Sequence, residues 1–88
     1  MRELDGKVAI ITGAGQGVGQ GIAFALSDLG ASVVAAGRTL AKVEATAVEI
    51  ERRGGRAIAV ECDVNDLSSL EALVAASTQQ LGGINILV

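Results

Sequence analysis

Short apolar runs alternate along the chain with longer stretches in which apolar residues recur every three or four positions. The short runs are rich in β-branched and small residues, which is typical of strands buried on both faces. They lie at residues 7–12, 32–36, 56–62 and 84–88. The longer stretches are typical of amphipathic helices and lie at residues 17–29, 40–50 and 67–81, with Gln16 as an alternative start of the first. The pattern predicts the order β-α-β-α-β-α-β.

We predict that each helix packs on the sheet through its recurring apolar residues. For the three helices in turn these are Val18, Ile22, Leu26 and Leu29; Leu40, Val43, Ala47 and Ile50; and Leu67, Leu70, Val74 and Leu81. Glycines end the helices, at Gly30, at Gly54 with Gly55, and at Gly82 with Gly83. The predicted N-caps are Thr39 for the second helix and Asp66 for the third, with Ser68 and Glu71 as an alternative capping box.

Strands that alternate with single helices pair in parallel, and each crossover between them is right-handed. Two crossovers in one direction and one back across the first strand give the strand order 3-2-1-4 of a doubly wound α/β sheet. The first two helices then share one face of the sheet, and the third lies on the other. That second face is half bare and the last strand is an open edge, so we expect residues 1–88 to be part of a larger domain, truncated before its second half.

Composition excludes several classes of function. The net charge is −3 and the basic residues are scattered, apart from Arg52 and Arg53, while Phe24 is the one aromatic residue. A nucleic-acid binder needs a basic stripe and, for single strands, stacking aromatics. Cys62 is the one cysteine, so the chain forms neither an internal disulfide nor a multi-cysteine metal site. No apolar run approaches the ~18 residues needed to cross a bilayer, and the charged start MRELDGK favours a cytoplasmic protein.

Residues 12–19, TGAGQGVG, join the first predicted strand to the first predicted helix. A turn of this kind offers backbone N–H groups and the positive end of a helix to a phosphate. The spacing G-x-G-x-x-G fits in no register, whereas G-x-x-x-G-x-G fits at Gly13, Gly17 and Gly19. A Walker-type loop is excluded because Lys and Ser/Thr do not follow. A tight packing turn is the alternative interpretation, but the strand before and the helix after favour a phosphate cradle.

The loop resembles the cofactor loop of the short-chain dehydrogenase/reductase family. LDGKVAIITG at the start, CDV after the third strand and GGINILV before the fourth match in order, so the resemblance covers all 88 residues. It implies a Rossmann-type fold, with residues 1–88 as its N-terminal dinucleotide-binding half, and a nicotinamide dinucleotide cofactor. It also implies that Asp63 accepts a hydrogen bond from the adenine amino group, with a loop cap as the alternative role. The remaining residues that the resemblance assigns to the cofactor are Gly13, Gln16, Gly17, Val18 and Gly19 around the pyrophosphate and ribose, and Val64 at the adenine.

The end of the second strand, VVAAGRT, bears on which nicotinamide cofactor is bound. An NAD enzyme usually carries Asp or Glu there to bind the ribose 2′-OH. Here the position holds Gly37, which leaves room for a 2′-phosphate, and Arg38 follows, which can bind that phosphate bidentately. Thr39 adds a hydroxyl donor. We therefore predict NADP(H) in preference to NAD, the alternative being a solvated arginine in a turn.

The resemblance implies hydride transfer between the nicotinamide and a small carbonyl or alcohol substrate. The family uses a Tyr, a Lys, a Ser and an Asn, and the Asn belongs to an NAG motif directly after the fourth strand. The chain has no Tyr and ends at ILV, so we expect the catalytic residues and the homo-oligomer contacts to lie beyond residue 88 and the 88 residues alone to be inactive. A non-enzymatic NAD(P)-binding sensor is the alternative, and a methyltransferase is disfavoured because it usually carries an acid after the second strand.

Overall fold

Seven elements alternate along the chain in the computed structural model, which describes residues 2–88. The strands are β1 (Val8–Thr12), β2 (Ser32–Gly37), β3 (Ala57–Glu61) and β4 (Ile86–Leu87). The helices are α1 (Gly17–Asp28), α2 (Leu40–Arg52) and α3 (Leu67–Leu81). The predicted order β-α-β-α-β-α-β is confirmed, although β4 is shorter than the apolar run that predicted it.

The four strands form one parallel sheet in the order β3-β2-β1-β4, as the crossover rule predicts. β1 is central and pairs with β2 from Val8 opposite Ser32 to Thr12 opposite Ala36. On its other side β1 pairs with β4, with Ile10 opposite Leu87. Because the strands are parallel, their carboxyl ends lie along one edge of the sheet, where ligands bind in open α/β folds.

Alternate residues of the strands feed two separate cores. One core joins the sheet to α1 and α2 and contains Ile11, Val33 and Val43. The other joins the sheet to α3 and contains Ile10 and Leu73. The prediction that α1 and α2 share one face and α3 covers the other is therefore confirmed. Leu87, which pairs with Ile10 on the α3 side, is 71% exposed, so this second face is only partly covered.

The predicted inner stripes of α1 and α3 are partly wrong. On α1, Val18 is 81% exposed, and the buried positions are Ala23 and Ser27. Ile22 and Leu26 of the predicted stripe pack against the core from partly buried positions. The small residues Ala23 and Ser27 are the buried positions of the helix, and small side chains let α1 approach the sheet closely.

On α3, Leu67 and Val74 are 70% and 50% exposed, whereas Leu73 and Ser77 are buried. The Ser77 hydroxyl donates to the carbonyl of Leu73 at 2.8 Å, which satisfies its polar atom inside the core. On α2, Val43, Ala47 and Ile50 are buried as predicted, and Leu40 is exposed.

The helix ends follow the sequence in part. Gly30 ends α1 with φ +105°, a left-handed conformation that glycine adopts without steric cost. The Asp66 carboxylate accepts from the N–H of Ser68 at 2.9 Å and so caps α3, as predicted. Thr39 occupies the N-cap position of α2, but its hydroxyl makes no cap hydrogen bond, so its predicted capping role is wrong.

The carboxyl end of α2 carries a surface ion cluster. Glu49 accepts from Arg52 at 2.6 Å and from Arg53 at 2.7 Å. Hydrogen bonds from Arg52 and then Arg53 lower the pKa of Glu49 from 4.5 to about 2. The Arg53 guanidinium also lies 4.3 Å from the ring centre of Phe24 on α1, which ties the outer surfaces of the two helices together.

Candidate functional site

A cavity of about 360 Å³ opens at the carboxyl edge of the sheet, between the ends of β1 and β2 and the start of α2. Five of the residues predicted to bind the cofactor line it: Gly13, Gln16, Arg38, Thr39 and Val64. Asp63 lies in an adjoining polar depression, which it shares with Arg38. We call residues 12–19 the glycine loop. Its last three residues, Gly17, Val18 and Gly19, form the first turn of α1. The structure thus brings the predicted residues to one edge of the molecule.

The glycine loop has a shape that larger residues would disrupt. Gly13 and Gly17 have φ angles of +65° and +60°, and the space where their Cβ atoms would stand is open for at least 4 Å. At Gly19 a Cβ would collide with the carbonyl of Gly13, so only glycine lets α1 start this close to β1. The Ala14 N–H donates to the Ala36 carbonyl at 3.0 Å and fixes the loop to β2. The result is a backbone surface with no side chain at the two positions, Gly13 and Gly17, where Cβ atoms would stand in open space.

Thr46 of α2 supports this loop from beneath. Its side chain is fully buried, and its Oγ1 donates to the Ala14 carbonyl at 2.8 Å. Gln20 of α1 donates from Nε2 to the same oxygen of Thr46 at 3.2 Å. Sequence reasoning missed Thr46, and the available signal was its place beside Ala47 on the buried face of the predicted helix. One hydroxyl therefore connects the loop to both neighbouring helices.

Two helix N-termini lie at the cavity without side-chain caps. The N-cap residues are Gln16 for α1 and Thr39 for α2, and neither side chain makes a cap hydrogen bond within the described chain. In contrast, α3 lies away from this cavity and is capped by Asp66. The first N–H groups of a helix lack intrahelical acceptors and carry partial positive charge. This edge therefore favours an anion such as a phosphate.

The charged side chains at the cavity are basic. Arg38 and Lys42 both line it, and the lining residues include no Asp or Glu in the part of the chain that the structure describes. The Lys42 Nζ donates to the Gln16 Oε1 at 2.7 Å. Sequence reasoning assigned Lys42 no role, although its position three residues after the Thr39 N-cap places it in the first turn facing the end of β2.

Asp63 makes the contacts of a loop cap. One carboxylate oxygen accepts from the Asn65 N–H at 2.9 Å, and the Asp63 N–H donates to the Ser69 Oγ at the same distance. The other oxygen lies 3.9 Å from an Arg38 nitrogen. The loop-cap interpretation of Asp63 is therefore correct for this structure, and its contact with adenine stays a prediction.

Gly37 lines the cavity and is also packed closely against α2. A Cβ at this position would lie 2.9 Å from the Cγ1 of Val43, which is buried against the sheet. Cys62 is also buried, as expected for a small apolar residue at the end of β3. Together with the glycine loop, the two uncapped helices and the basic rim, these residues fit the phosphate groups of a dinucleotide.

Comparison with known proteins agrees with this geometry. A model of the short chain dehydrogenase family matches residues 7–88. The chain is 42% identical over 85 residues to the 7alpha-hydroxysteroid dehydrogenase of Escherichia coli K12, covering 97% of this chain and 33% of that protein. It is 44% identical over 85 residues to the galactitol 2-dehydrogenase of Agrobacterium fabrum, covering 97% of this chain and 32% of that protein.

A crystal structure of a hydroxysteroid dehydrogenase from Escherichia coli superimposes with a TM-score of 0.93 at 42% identity, covering 96% of this chain and 36% of that one. The chain spans about a third of the length of the two dehydrogenases named above. No helix between residues 2 and 88 combines the length and the apolar character that crossing a membrane requires.

Proposed function

The chain belongs to the short chain dehydrogenase family, and on that premise we propose that residues 1–88 are the N-terminal, dinucleotide-binding half of an NADP(H)-dependent oxidoreductase. We call that longer protein the parent protein. When bound, the nicotinamide ring supplies or accepts a hydride. The residues described above bind and orient the cofactor, and the groups that handle the substrate lie in the remainder of the parent protein.

In this proposal the glycine loop holds the pyrophosphate. The backbone of Gly13, Gly17 and Gly19 lets the phosphates approach the start of α1, and Gln16 and Val18 flank the adjoining ribose. Val64 and Asp63 lie against the adenine. These roles are supported by the open Cβ positions at Gly13 and Gly17, since a ligand needs that space.

The observation that carries the choice of NADP(H) is the end of β2, where Gly37 and Arg38 line a cavity with no acidic lining residue in the described chain. A carboxylate there would repel a 2′-phosphate, whereas a guanidinium binds it with two parallel hydrogen bonds. Thr39 adds a hydroxyl. Charge-assisted hydrogen bonds contribute about 1.5–3 kcal/mol, or roughly 10-fold to 150-fold in affinity.

The contact between Arg38 and Asp63 does not compete strongly with this role. At 3.9 Å it is longer than a charge-assisted hydrogen bond, and the Arg38 side chain is 76% exposed. Exposed ion pairs of this kind contribute little to stability. The Arg38 guanidinium is therefore free to turn toward a phosphate.

The substrate we propose is a secondary alcohol or the matching ketone. The relatives are named for a hydroxysteroid and for galactitol, whose reacting groups are hydroxyls on carbon. A cytoplasmic location and a homo-oligomeric parent protein belong to the same proposal. The 88 residues alone are expected to be inactive. They contain no Tyr, and the resemblance to the family implies that a Tyr transfers the proton.

The Arg38→Ala variant of the parent protein tests the cofactor assignment. Fluorescence titration with NADPH and with NADH should show that NADPH affinity falls by roughly 10-fold or more while NADH affinity stays the same. Arg52→Ala removes the same charge at the far end of α2 and is the matched control, with no expected effect on either cofactor. Loss of affinity for both cofactors in the Arg38 variant would contradict the assignment.

A non-enzymatic NAD(P)-binding sensor is the second candidate. It is favoured by one observation: residues proposed to bind the cofactor line the cavity, and a proton-transfer role is proposed for none of the lining residues. The two candidates differ in the parent protein, because an enzyme needs the NAG motif, the Ser and the Tyr-x-x-x-Lys after β4. Turnover of a secondary alcohol or ketone with NADP(H) would exclude the sensor.

A further inference from the structure

We propose that Lys42 is a second residue that determines specificity for the 2′-phosphate, and that Gln16 positions it. The inference rests on the proposed function, since it assumes that an adenosine 2′-phosphate enters this cavity. It adds the ammonium group of Lys42, on α2, to the guanidinium of Arg38, at the end of β2.

Lys42 reaches the cavity from the first turn of α2. Its ammonium nitrogen lies 2.7 Å from the side-chain oxygen of Gln16, which is the N-cap of α1 and part of the glycine loop. Both residues line the same cavity as Arg38. The ammonium group therefore contacts the cradle assigned to the pyrophosphate, and it shares the cavity with the arginine assigned to the 2′-phosphate.

The charge on Lys42 is not neutralised. The four ion pairs among residues 2–88 do not include Lys42, and the group that holds it is a neutral amide. Arg38, in comparison, lies near the Asp63 carboxylate. Because an amide oxygen orients an ammonium group without cancelling its charge, Lys42 contributes positive potential to a cavity that has no acidic lining residue in the described chain.

Packing keeps the stem of Lys42 against the loop. A Cβ on Gly15 would lie 2.8 Å from the Cβ of Lys42, so the glycine allows α2 to approach this closely. The next residue, Val43, is buried against the sheet and fixes that turn of the helix.

A phosphate has three free oxygens, and a bidentate guanidinium uses two of them. An ammonium group from Lys42 can donate to the third.

The test uses the parent protein and titrates NADPH and NADH separately by fluorescence. Lys42→Met keeps the length of the side chain and removes the charge, and we expect about tenfold weaker binding of NADPH with NADH unchanged. Lys42→Arg keeps the charge and should retain most of the preference. Lys7→Met is the matched control, since Lys7 is an exposed lysine at the opposite edge of the sheet.

The role of Gln16 is tested by a double-mutant cycle. Gln16→Leu should lower the ratio of NADPH affinity to NADH affinity in the wild-type background and leave this ratio unchanged in the Lys42→Met background. If Gln16→Leu lowers the ratio by the same factor in both backgrounds, Gln16 does not act through Lys42, and its positioning role is overturned.

The outcomes separate this inference from the proposed function. If the wild-type protein prefers NADPH, and Arg38→Ala narrows the preference while Lys42→Met does not, the inference is overturned and the proposed function stands. Equal weakening of both nucleotides by Lys42→Met also overturns the inference, because it indicates a distorted loop. Equal affinity of the wild-type protein for NADPH and NADH overturns both.

Discussion

Replacing Thr46 with valine removes one buried hydroxyl and leaves the shape of the side chain almost unchanged. In the structure this hydroxyl donates to the Ala14 carbonyl at 2.8 Å and accepts from the Gln20 amide at 3.2 Å. The variant leaves the Ala14 carbonyl beneath the glycine loop without its donor. A buried polar group that loses its partner costs about 1–3 kcal/mol, or roughly 5-fold to 150-fold in the folding equilibrium.

Two measurements on the parent protein separate stability from function in this variant. Urea denaturation should show the loss of about 1–3 kcal/mol in the Thr46→Val protein. Cofactor titration should show weaker binding of both NADPH and NADH, because the loop proposed to hold the pyrophosphate, which both cofactors contain, changes its position. Thr46→Ser is the control that keeps the hydroxyl; it loses a methyl group worth about 1 kcal/mol but should bind both cofactors normally.

A Thr46→Val variant that is as stable as the wild type, and binds both cofactors as tightly as the wild type does, would contradict the role of this hydroxyl. In that case the Ala14 carbonyl does not depend on the hydroxyl, and the loop keeps its shape without support from α2. A change in NADPH binding alone would also refute it, since the hydroxyl lies beneath the loop and does not line the cavity.

Two further predictions concern the loop and the surface. Gly19→Ala places a Cβ against the carbonyl that faces it and should abolish cofactor binding, whereas Gly21→Ala, with open space on the same helix, should bind normally in the same titration. The arginine hydrogen bonds that lower the pKa of Glu49 to about 2 stabilise the folded state above pH 4.5, and this contribution is lost as the pH falls toward 2. In denaturation experiments, Glu49→Gln should therefore weaken the fall in the free energy of unfolding as the pH drops from 4.5 toward 2. If this fall is unchanged in the variant, the arginine hydrogen bonds to Glu49 do not stabilise the folded state.

The strand order could be predicted because it follows from two rules that need no side-chain detail. The apolar runs locate the four strands, and a doubly wound sheet with two right-handed crossovers in one direction and one back across the first strand has the order 3-2-1-4. The same rules bring Gly13, Arg38 and Val64 to one edge, since parallel strands end there together. The cavity they line was therefore predictable to the level of the elements that form it.

The faces of α1 and α3 were predicted only in part: Ile22 and Leu26 on α1, and Leu70 and Leu81 on α3, pack against the cores, but the fully buried positions were missed. Ala23 and Ser27 have little hydrophobic signal, yet they are buried, and the larger Val18 is exposed. Close packing of a helix on a sheet is decided by volume as well as by apolar character. Apolar periodicity alone therefore finds part of the contact face of α1 and misses its small buried residues.

The contacts of Lys42 and Thr46 with the loop were not predicted because they depend on how closely α2 approaches it. That approach is set by missing side chains, at Gly15 beside Lys42 and at Gly37 beside Val43. A sequence shows the glycines but not the partner that occupies the space they leave. Contacts between residues 26 and 32 positions apart, such as Gln16 with Lys42 and Ala14 with Thr46, appear only once the helices are placed.

We propose that this chain gives its parent protein a site for the 2′-phosphate of NADP(H). The ratio of the dissociation constants of NADPH and NADH, measured for the wild-type parent protein at fixed ionic strength, tests this proposal. We predict that NADPH binds roughly 10-fold to 150-fold more tightly than NADH. Equal affinities, or tighter binding of NADH, would contradict the proposal.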